Sequence, residues 1–307
     1  MKGQTRTFIP GTWEHIYKRS ADGGLLFYSV RDRLVYFTIF ALASKRYHIE
    51  VMALCLMFDH IHEMLRARYS SDRKRFEQYC NSVFSREWNE SAERNGPVFE
   101  SYGSAPKKGE KYQRNCFAYI QNNGPERKLC RRAEDYQWNF LAYATSRHPF
   151  SEPVRRHHIS RALEKSLDRV SSLHRSGRYL GYRVLESLSE GLNPIEIKQL
   201  TDHIISTYNV IDYQASISLY GDYETLLTAI NSNTGAEHDI RENQVGVTDK
   251  DYLSMISLVH RAHPELSDIK RILTWDTDRR MELFQLIRKH TYATGAQIAK
   301  FLHLKLV

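Results

Sequence analysis

Two histidines separated by one residue are the first feature of this sequence that could do chemistry. His60 and His62 flank Ile61 in an alternating segment, so strand geometry places both imidazoles on one face, about 6–7 Å apart at Cα. Imidazoles at that spacing can bind one divalent metal ion. The preceding segment is continuously apolar, so polar side chains beside it need partners, which a metal ion would supply. Because the chain has 14 histidines, the triplet alone also fits two packed or solvated side chains.

A tyrosine and an asparagine form the second candidate feature. Tyr119 and Asn123 are four residues apart in a segment with helical spacing, so they are neighbours on one helix surface. Between residues 105 and 132 the cations are Lys107, Lys108, Lys111, Arg114, Arg127, Lys128, Arg131 and Arg132, against Glu110 and Glu126. An aromatic hydroxyl within a basic surface suits a nucleic-acid backbone. An ordinary amphipathic contact explains Tyr119 as well, since the chain has 19 tyrosines.

These residues must be positioned by an α+β arrangement. The patterns predict strands at residues 13–19, 47–57, 60–65 and 97–102 and helices at 29–44, 72–93 and 109–123, the last ended by Gly124-Pro125. Ser29 and Asp32 predict a capping box at the start of the first helix. The order β-α-β-β-α-β-α favours a ferredoxin-like antiparallel sheet with helices on one face.

The second half of the chain is predicted to be all helical. Helical patterns cover residues 159–173, 194–208, 223–231, 249–263 and 277–289. Residues 281–289 and 294–302 are similar to the first two helices of a helix-turn-helix, but little chain remains for a recognition helix. A helical packing or dimerisation domain is an equally good interpretation, and a homodimer stays open.

Charge divides the chain in two. The net charge is +8, with 32 Lys and Arg against 19 Asp and Glu in residues 1–183 but 12 against 17 in residues 184–307. The basic part indicates a polyanionic partner such as nucleic acid, although chance surface variation also produces such differences. Residues 147–183 carry nine cations that fit either a DNA-backbone clamp or a solvated helix face: Arg147, Arg155, Arg156, Arg161, Lys165, Arg169, Arg175, Arg178 and Arg183.

Composition excludes several classes of protein. A hydrophobic content of 41% and a charged content of 26% are typical of a globular protein. No apolar run reaches 18 residues, which excludes a transmembrane helix, and the N-terminal residues have no apolar segment of a secretory signal. The four cysteines form no CxxC pair, so we expect reduced thiols, a cytoplasmic location and no membrane partner.

Three segments, taken in order, resemble the HUH single-tyrosine transposases. MALCLMFDHIHEML (52–65) resembles their strand-turn-strand, and FAYIQNNGPERKL (117–129) resembles their tyrosine helix. AEDYQWNFLAY (133–143) is similar to the segment that follows in REP-associated tyrosine transposases. The resemblance covers roughly residues 10–146. Phe58 stands where the family has Pro before the Asp/Asn-His pair, and Gly124 replaces the Pro after Asn, with Pro125 displaced by one.

The resemblance implies a single-strand DNA endonuclease and strand transferase. It implies Tyr119 as the nucleophile and His60, His62 and Asn123 as ligands of Mg²⁺ or Mn²⁺, although imidazoles suit Zn²⁺ equally. The product would be a 5′-phosphotyrosine and a free 3′-OH, and the substrate a hairpin with single-stranded flanks. Candidate base-stacking residues are Tyr102, Tyr112, Phe117 and Tyr136, of which Phe117 fits core packing better.

The predicted organisation is therefore an HUH nuclease domain over residues 1–150, a basic helical linker over 151–183 and a helical C-terminal domain over 184–307. Two alternatives remain. One is a catalytically silent nucleic-acid-binding regulator derived from such a transposase. The other is a plasmid or phage nickase of the Rep type, which would usually carry a helicase or origin-binding domain that the sequence does not show.

Overall fold

A four-stranded antiparallel sheet forms the centre of the N-terminal half. The computed structural model describes residues 7–155, 159–232 and 248–304. The strands are β1 (Trp13–Arg19), β2 (Glu50–Leu56), β3 (His60–Arg66) and β4 (Gly103–Pro106). Their spatial order is β2-β3-β1-β4, and every neighbouring pair is antiparallel. This is the predicted ferredoxin-like arrangement.

Two long helices cover one face of the sheet. They are α1 (Val30–Arg46) and α2 (Ser70–Ala92), which pack against each other. Helix α1 begins where predicted, because Ser29 Oγ accepts from the Asp32 amide while Asp32 Oδ2 accepts from the Ser29 amide. The capping box fixes the start of the helix that carries much of the aromatic core.

A third helix lies on the opposite face. Helix α3 (Glu110–Gln121) contacts β2 and β3 and is followed by the short helix α4 (Asn123–Glu126). The expectation that helices cover one face is therefore incomplete, since the sheet is covered on both. The predicted stop at Gly124-Pro125 is also wrong, because helical hydrogen bonding continues and the Arg127 amide donates to the Asn123 carbonyl at 3.0 Å.

The fourth strand lies beyond its predicted position. Residues 97–102 hold the apolar signal, but Val98 is buried in the core and Phe99 makes a single isolated bridge to Ser20. The ladder with β1 instead uses Gly103–Pro106. The apolar residues therefore pack in the core before the strand begins. The edge strand itself is Gly103–Pro106, which has no clear strand pattern in the sequence.

The remainder of the described chain is helical, as predicted. The helices are α5 (Arg161–Arg175), α6 (Tyr182–Ser189), α7 (Pro194–Tyr208), α8 (Tyr213–Ser218), α9 (Tyr223–Ser232), α10 (Lys250–Ala262), α11 (Thr277–His290) and α12 (Gly295–Phe301). Short 3₁₀ segments lie at Ala133–Asp135, Gln137–Asn139, Leu141–Ala144 and Ile269–Thr274. Helices α6 and α8 were not predicted, because eight and six residues are too few for a clear period.

The helical half packs directly on the sheet domain. Helix α5, inside the predicted linker, packs against α7, and α7 packs against α1. The predicted boundaries at residues 150 and 183 stay predictions. No helix within the described ranges is both long and apolar enough to cross a membrane.

Candidate active site

The predicted histidine pair lies on the sheet face that α3 covers. Alternation along β3 directs His60 and His62 to that face, and their ring centroids are 4.9 Å apart. Both side chains are buried. The structure thus brings the two imidazoles together, as the HxH spacing predicts.

A carboxylate at the β2–β3 turn orients His60. Asp59 Oδ1 lies 2.6 Å from His60 Nδ1, and Asp59 Oδ2 contacts the Lys300 ammonium. Burial alone would raise the pKa of Asp59, but His60 and Lys300 hold it below its ordinary value. A neutral His60 that donates its Nδ1 proton to the ionised Asp59 has its lone pair on Nε2. That is the orienting role a carboxylate plays behind a metal-binding histidine.

His15 is a member of the site that sequence reasoning missed. Its Nε2 lies 2.9 Å from His62 Nδ1, and the two ring centroids are 5.1 Å apart. If His62 donates in this bond, its own lone pair lies on Nε2, the tautomer required of a metal ligand. The only signal was the alternation of β1, which places His15 and Tyr17 on one face without saying which strand they meet.

Tyr17 is a second tyrosine at the site. Its ring centroid lies 5.5 Å from that of His60 and 4.9 Å from that of His62. The Arg19 guanidinium lies 4.7 Å from the Tyr17 ring centroid and its Nε contacts the hydroxyl. Two phenol groups, Tyr17 and Tyr119, therefore adjoin the histidines.

The predicted nucleophile is brought to the same histidines by α3. The Tyr119 ring meets His62 edge-on at a centroid distance of 5.4 Å and His15 at 5.9 Å, and its side chain is 4% exposed. Asn123 Nδ2 donates to the backbone carbonyls of Tyr119 and Ile120 at 3.0 and 3.4 Å. The amide is thus anchored to the end of the Tyr119 helix.

Gly124 has a steric role next to Asn123. A Cβ at this position would lie 2.7 Å from the Cβ of Tyr136, so no larger residue fits without a shift. Tyr136 is buried and its hydroxyl donates to the Leu56 carbonyl at 2.8 Å, which ties the segment to β2 beside the histidine turn. Tyr136 is therefore a packing residue and not the base-stacking surface we expected.

The donor set fits a divalent metal ion in part. His60 and His62 offer two imidazoles whose Nδ1 atoms are oriented by Asp59 and His15. No group of three or more His, Cys, Asp or Glu side chains within residues 7–155, 159–232 and 248–304 could hold a metal ion. The predicted third ligand is of another donor type, the amide oxygen of Asn123.

The predicted basic surface is largely exposed. Its exposed cations are Lys108, Lys111, Arg114, Lys128, Arg131 and Arg132. Lys107 is only 1% exposed and Arg127 is also buried, so neither belongs to this surface. Lys107 lies just beyond the end of β4, where its amide donates to the Trp13 carbonyl, and this packing explains its burial.

Some of the other residues predicted to contact DNA are exposed and others are buried. Tyr112 on α3 is 60% exposed, whereas Phe117 is buried, which confirms core packing for Phe117. Tyr102 is half-buried. In the 147–183 segment, the cations of α5 are exposed, and Arg156 lies outside the described residues.

Comparison with known proteins gives one similarity. No protein-family model matches the sequence, and no curated protein matches it. The chain is similar to a solved structure described as "Structure of the REP associates tyrosine transposase bound to a REP hairpin", with a TM-score of 0.37 and 12% sequence identity. The match covers 45% of this chain and 81% of that chain.

Proposed function

We propose that this protein is a single-strand DNA endonuclease and strand transferase of the HUH single-tyrosine type, with Tyr119 as its nucleophile. One observation carries the proposal. Tyr119 on α3 packs against His62, which shares a strand face with His60, although 57 positions separate Tyr119 from His62. A phenol beside a histidine pair that could hold a metal ion is an arrangement in which tyrosine can act as a nucleophile on a phosphodiester.

His60, His62 and Asn123 would hold the divalent ion, for which we propose Mg²⁺ or Mn²⁺. When bound, it would polarise a non-bridging oxygen of the scissile phosphate. Donation from His60 Nδ1 to Asp59 and from His62 Nδ1 to His15 would give both histidines the tautomers that this role needs.

The resemblance to the HUH transposases implies the course of the reaction that we propose for Tyr119. Its Oη attacks the phosphorus atom and its proton passes to water, a P–Oη bond forms, and the bond from phosphorus to the 3′ oxygen breaks. The leaving 3′ oxygen takes up a proton and becomes a 3′-OH. Because the 5′-phosphotyrosine is itself a phosphodiester, a second 3′-OH can attack it and rejoin the strand without ATP.

The exposed cations around α3 and α4 suit a DNA backbone. Lys108, Lys111 and Arg114 precede Tyr119, and Lys128, Arg131 and Arg132 follow it, all on the surface. Phosphate contacts of this kind position the strand without reading its sequence. We propose a hairpin with single-stranded flanks as the substrate, which is what the resemblance to the HUH transposases implies.

A covalent adduct tests the proposal. A hairpin oligonucleotide with a 3′ fluorophore is incubated with the protein and Mn²⁺, and the products are separated on a denaturing gel. We expect a fluorescent protein band that Tyr119→Phe abolishes. Tyr112→Phe, on the exposed side of the same helix, is the matched control and should keep the band. An adduct that survives Tyr119→Phe would rule out this nucleophile.

The burial of the site favours a second candidate, a catalytically silent DNA-binding regulator. Tyr119 and both histidines are buried in the structure. The same gel separates the two candidates. A wild-type protein that binds the hairpin but forms no adduct, and that shows no Mn²⁺ binding by titration, would be the regulator.

A further inference from the structure

A small cavity beside His60 is built from both halves of the chain. Its volume is about 270 Å³. Its functional lining residues are Tyr17, Arg19, Asp59, His60, Arg127 and Lys300. Five of them lie in the N-terminal half, on or beside β1 and β3 or directly after α4. Lys300 lies on α12, near the C-terminal end of the described chain.

Helix α12 is held firmly against the histidine turn. Thr294 caps its start in a capping box with Gln297, and Gln297 Nε2 also donates to the Thr248 carbonyl at 2.7 Å. At the other end, the Tyr28 hydroxyl donates to the Phe301 carbonyl at 2.7 Å. Lys300 is thus presented to the cavity by a fixed helix.

Residues at the start of α10 also contact the segments that line the cavity. The Asp249 amide donates to the Arg127 carbonyl at 3.0 Å. The Tyr252 ring packs on Phe58, the residue before Asp59, at a centroid distance of 5.4 Å. The segment from residue 248 onward therefore seats on the turn that carries the histidines.

The cavity suits an anion. Three cations line it, Arg19, Arg127 and Lys300, beside the carboxylates of Asp59 and Glu100, and the buried Asp249 carboxylate also interacts with Arg127 and Lys300. Asp59 accepts from both His60 and Lys300, so its charge is engaged. An ammonium group has three N–H donors, and Asp59 takes one, which leaves Lys300 donors for an oxygen in the cavity.

We propose that this cavity binds one phosphate of single-stranded DNA next to the scissile phosphate, and that Lys300 is a phosphate-binding residue supplied by the C-terminal helices. The position relative to the scissile phosphate rests on the proposed function. The binding of a phosphate does not, because it depends on the cations alone. A free phosphate ion offers the same chemistry, and the experiment below separates the two sources.

DNA binding measures the contribution of Lys300 without cleavage. In a Tyr119→Phe background, fluorescence anisotropy gives the affinity for a labelled single-stranded oligonucleotide over a range of salt concentrations. Lys300→Ala should weaken binding about tenfold, as expected for a charged hydrogen bond, and should reduce the slope of log affinity against log salt by about 0.7. Lys300→Arg should restore most of both.

A matched variant controls for the loss of one positive charge. Lys289 is exposed on α11, so Lys289→Ala removes the same charge from the same helical region. It should leave affinity and slope unchanged. Equal values for Lys300→Ala and Lys289→Ala would overturn the proposal. Should Lys300→Ala fail to fold, as judged by circular dichroism, Lys300→Gln keeps a polar group against Asp59 and makes the same comparison.

Inorganic phosphate distinguishes a DNA site from a free-ion site. Replacing chloride with phosphate at matched ionic strength should weaken DNA binding by the parent protein more than by Lys300→Ala. If Lys300→Ala loses phosphate binding but keeps full DNA affinity, the cavity binds a free ion and the DNA assignment is wrong. If the wild type forms no covalent adduct but its DNA affinity still depends on Lys300, the nuclease activity is contradicted and the phosphate site is supported.

Discussion

The two faces of the central sheet bury polar groups in opposite ways. Strand β3 directs His60 and His62 towards α3 but directs Glu63 towards α1 and α2. On the side of α1 and α2, Lys18 Nζ lies 2.7 Å from Glu63 Oε1, 2.8 Å from Glu77 Oε2 and 2.9 Å from the Tyr36 hydroxyl. All these groups are fully buried.

The two faces differ in whether their buried polar groups can reach a ligand. The polar groups around Lys18 compensate one another inside a closed core, so their charges serve the fold. On the opposite face, His60 lines a cavity together with Arg127 and Lys300. Because side chains alternate along β3, Glu63 lies in the closed core and His60 faces the side on which a substrate could bind.

The largest effect is expected on the side of α1 and α2. Lys18→Met should destabilise the protein by about 3–5 kcal/mol, because it leaves a buried carboxylate without its counter-charge. Urea denaturation measures the free energy of unfolding. Lys74→Met, an exposed position on α2, should change it by less than about 0.5 kcal/mol. Equal stabilities for the two variants would show that the buried cluster of Lys18, Tyr36, Glu63 and Glu77, the Lys18 cluster, does not stabilise the fold.

A smaller effect is expected behind the histidines. His15→Ala removes the partner of His62 Nδ1 and should lower the affinity for Mn²⁺ about 10–100-fold. Isothermal titration measures the affinity, and His15→Gln, which can still accept a hydrogen bond, should recover part of it. His290→Ala, exposed at the end of α11, is the control. An unchanged affinity in His15→Ala would make His15 a packing residue.

The Lys18 cluster should also make stability depend on pH. Burial raises the pKa of Glu77 from 4.5 to about 8, although Lys18 lowers it. Between these values the folded state binds a proton that the unfolded state has lost, so this contribution to stability declines as pH rises. The stability of wild type relative to Glu77→Gln should fall by about 1.4 kcal/mol per pH unit in that window. A constant difference between pH 5 and 8 would contradict the raised pKa.

The smallest effect is expected on the exposed basic surface. Lys111→Ala should weaken DNA binding severalfold and reduce the salt slope by about 0.7, because one phosphate contact is lost. Lys198→Ala, exposed on α7, should leave both unchanged. If the two variants behave alike, the basic surface around α3 does not contact DNA.

Local patterns predicted the parts of the molecule that local physics determines. The shared face of His60 and His62 follows from strand alternation, and the start of α1 follows from the Ser29–Asp32 capping box. Helix α7 has the predicted bounds, since Asn193 caps it and Pro194 occupies its first position.

Long-range packing accounts for what the sequence could not predict. His15 reaches His62 only because β1 pairs with β3 in one register, and no local signal specifies that register. Lys300 follows His60 by 240 positions and meets the turn through the packing of α12. The fourth strand was misplaced because its apolar signal belongs to core residues that precede it.

Peptide mapping of the covalent adduct identifies the tyrosine that attacks DNA. The adduct is digested with trypsin and a nuclease, and mass spectrometry locates the remaining nucleotide. Residues 115–127 form a tryptic peptide whose single tyrosine is Tyr119, and residues 7–18 form one whose single tyrosine is Tyr17. We expect the nucleotide on the 115–127 peptide. A nucleotide on the 7–18 peptide would assign the attack to Tyr17, whose ring also adjoins both histidines, and would contradict the account.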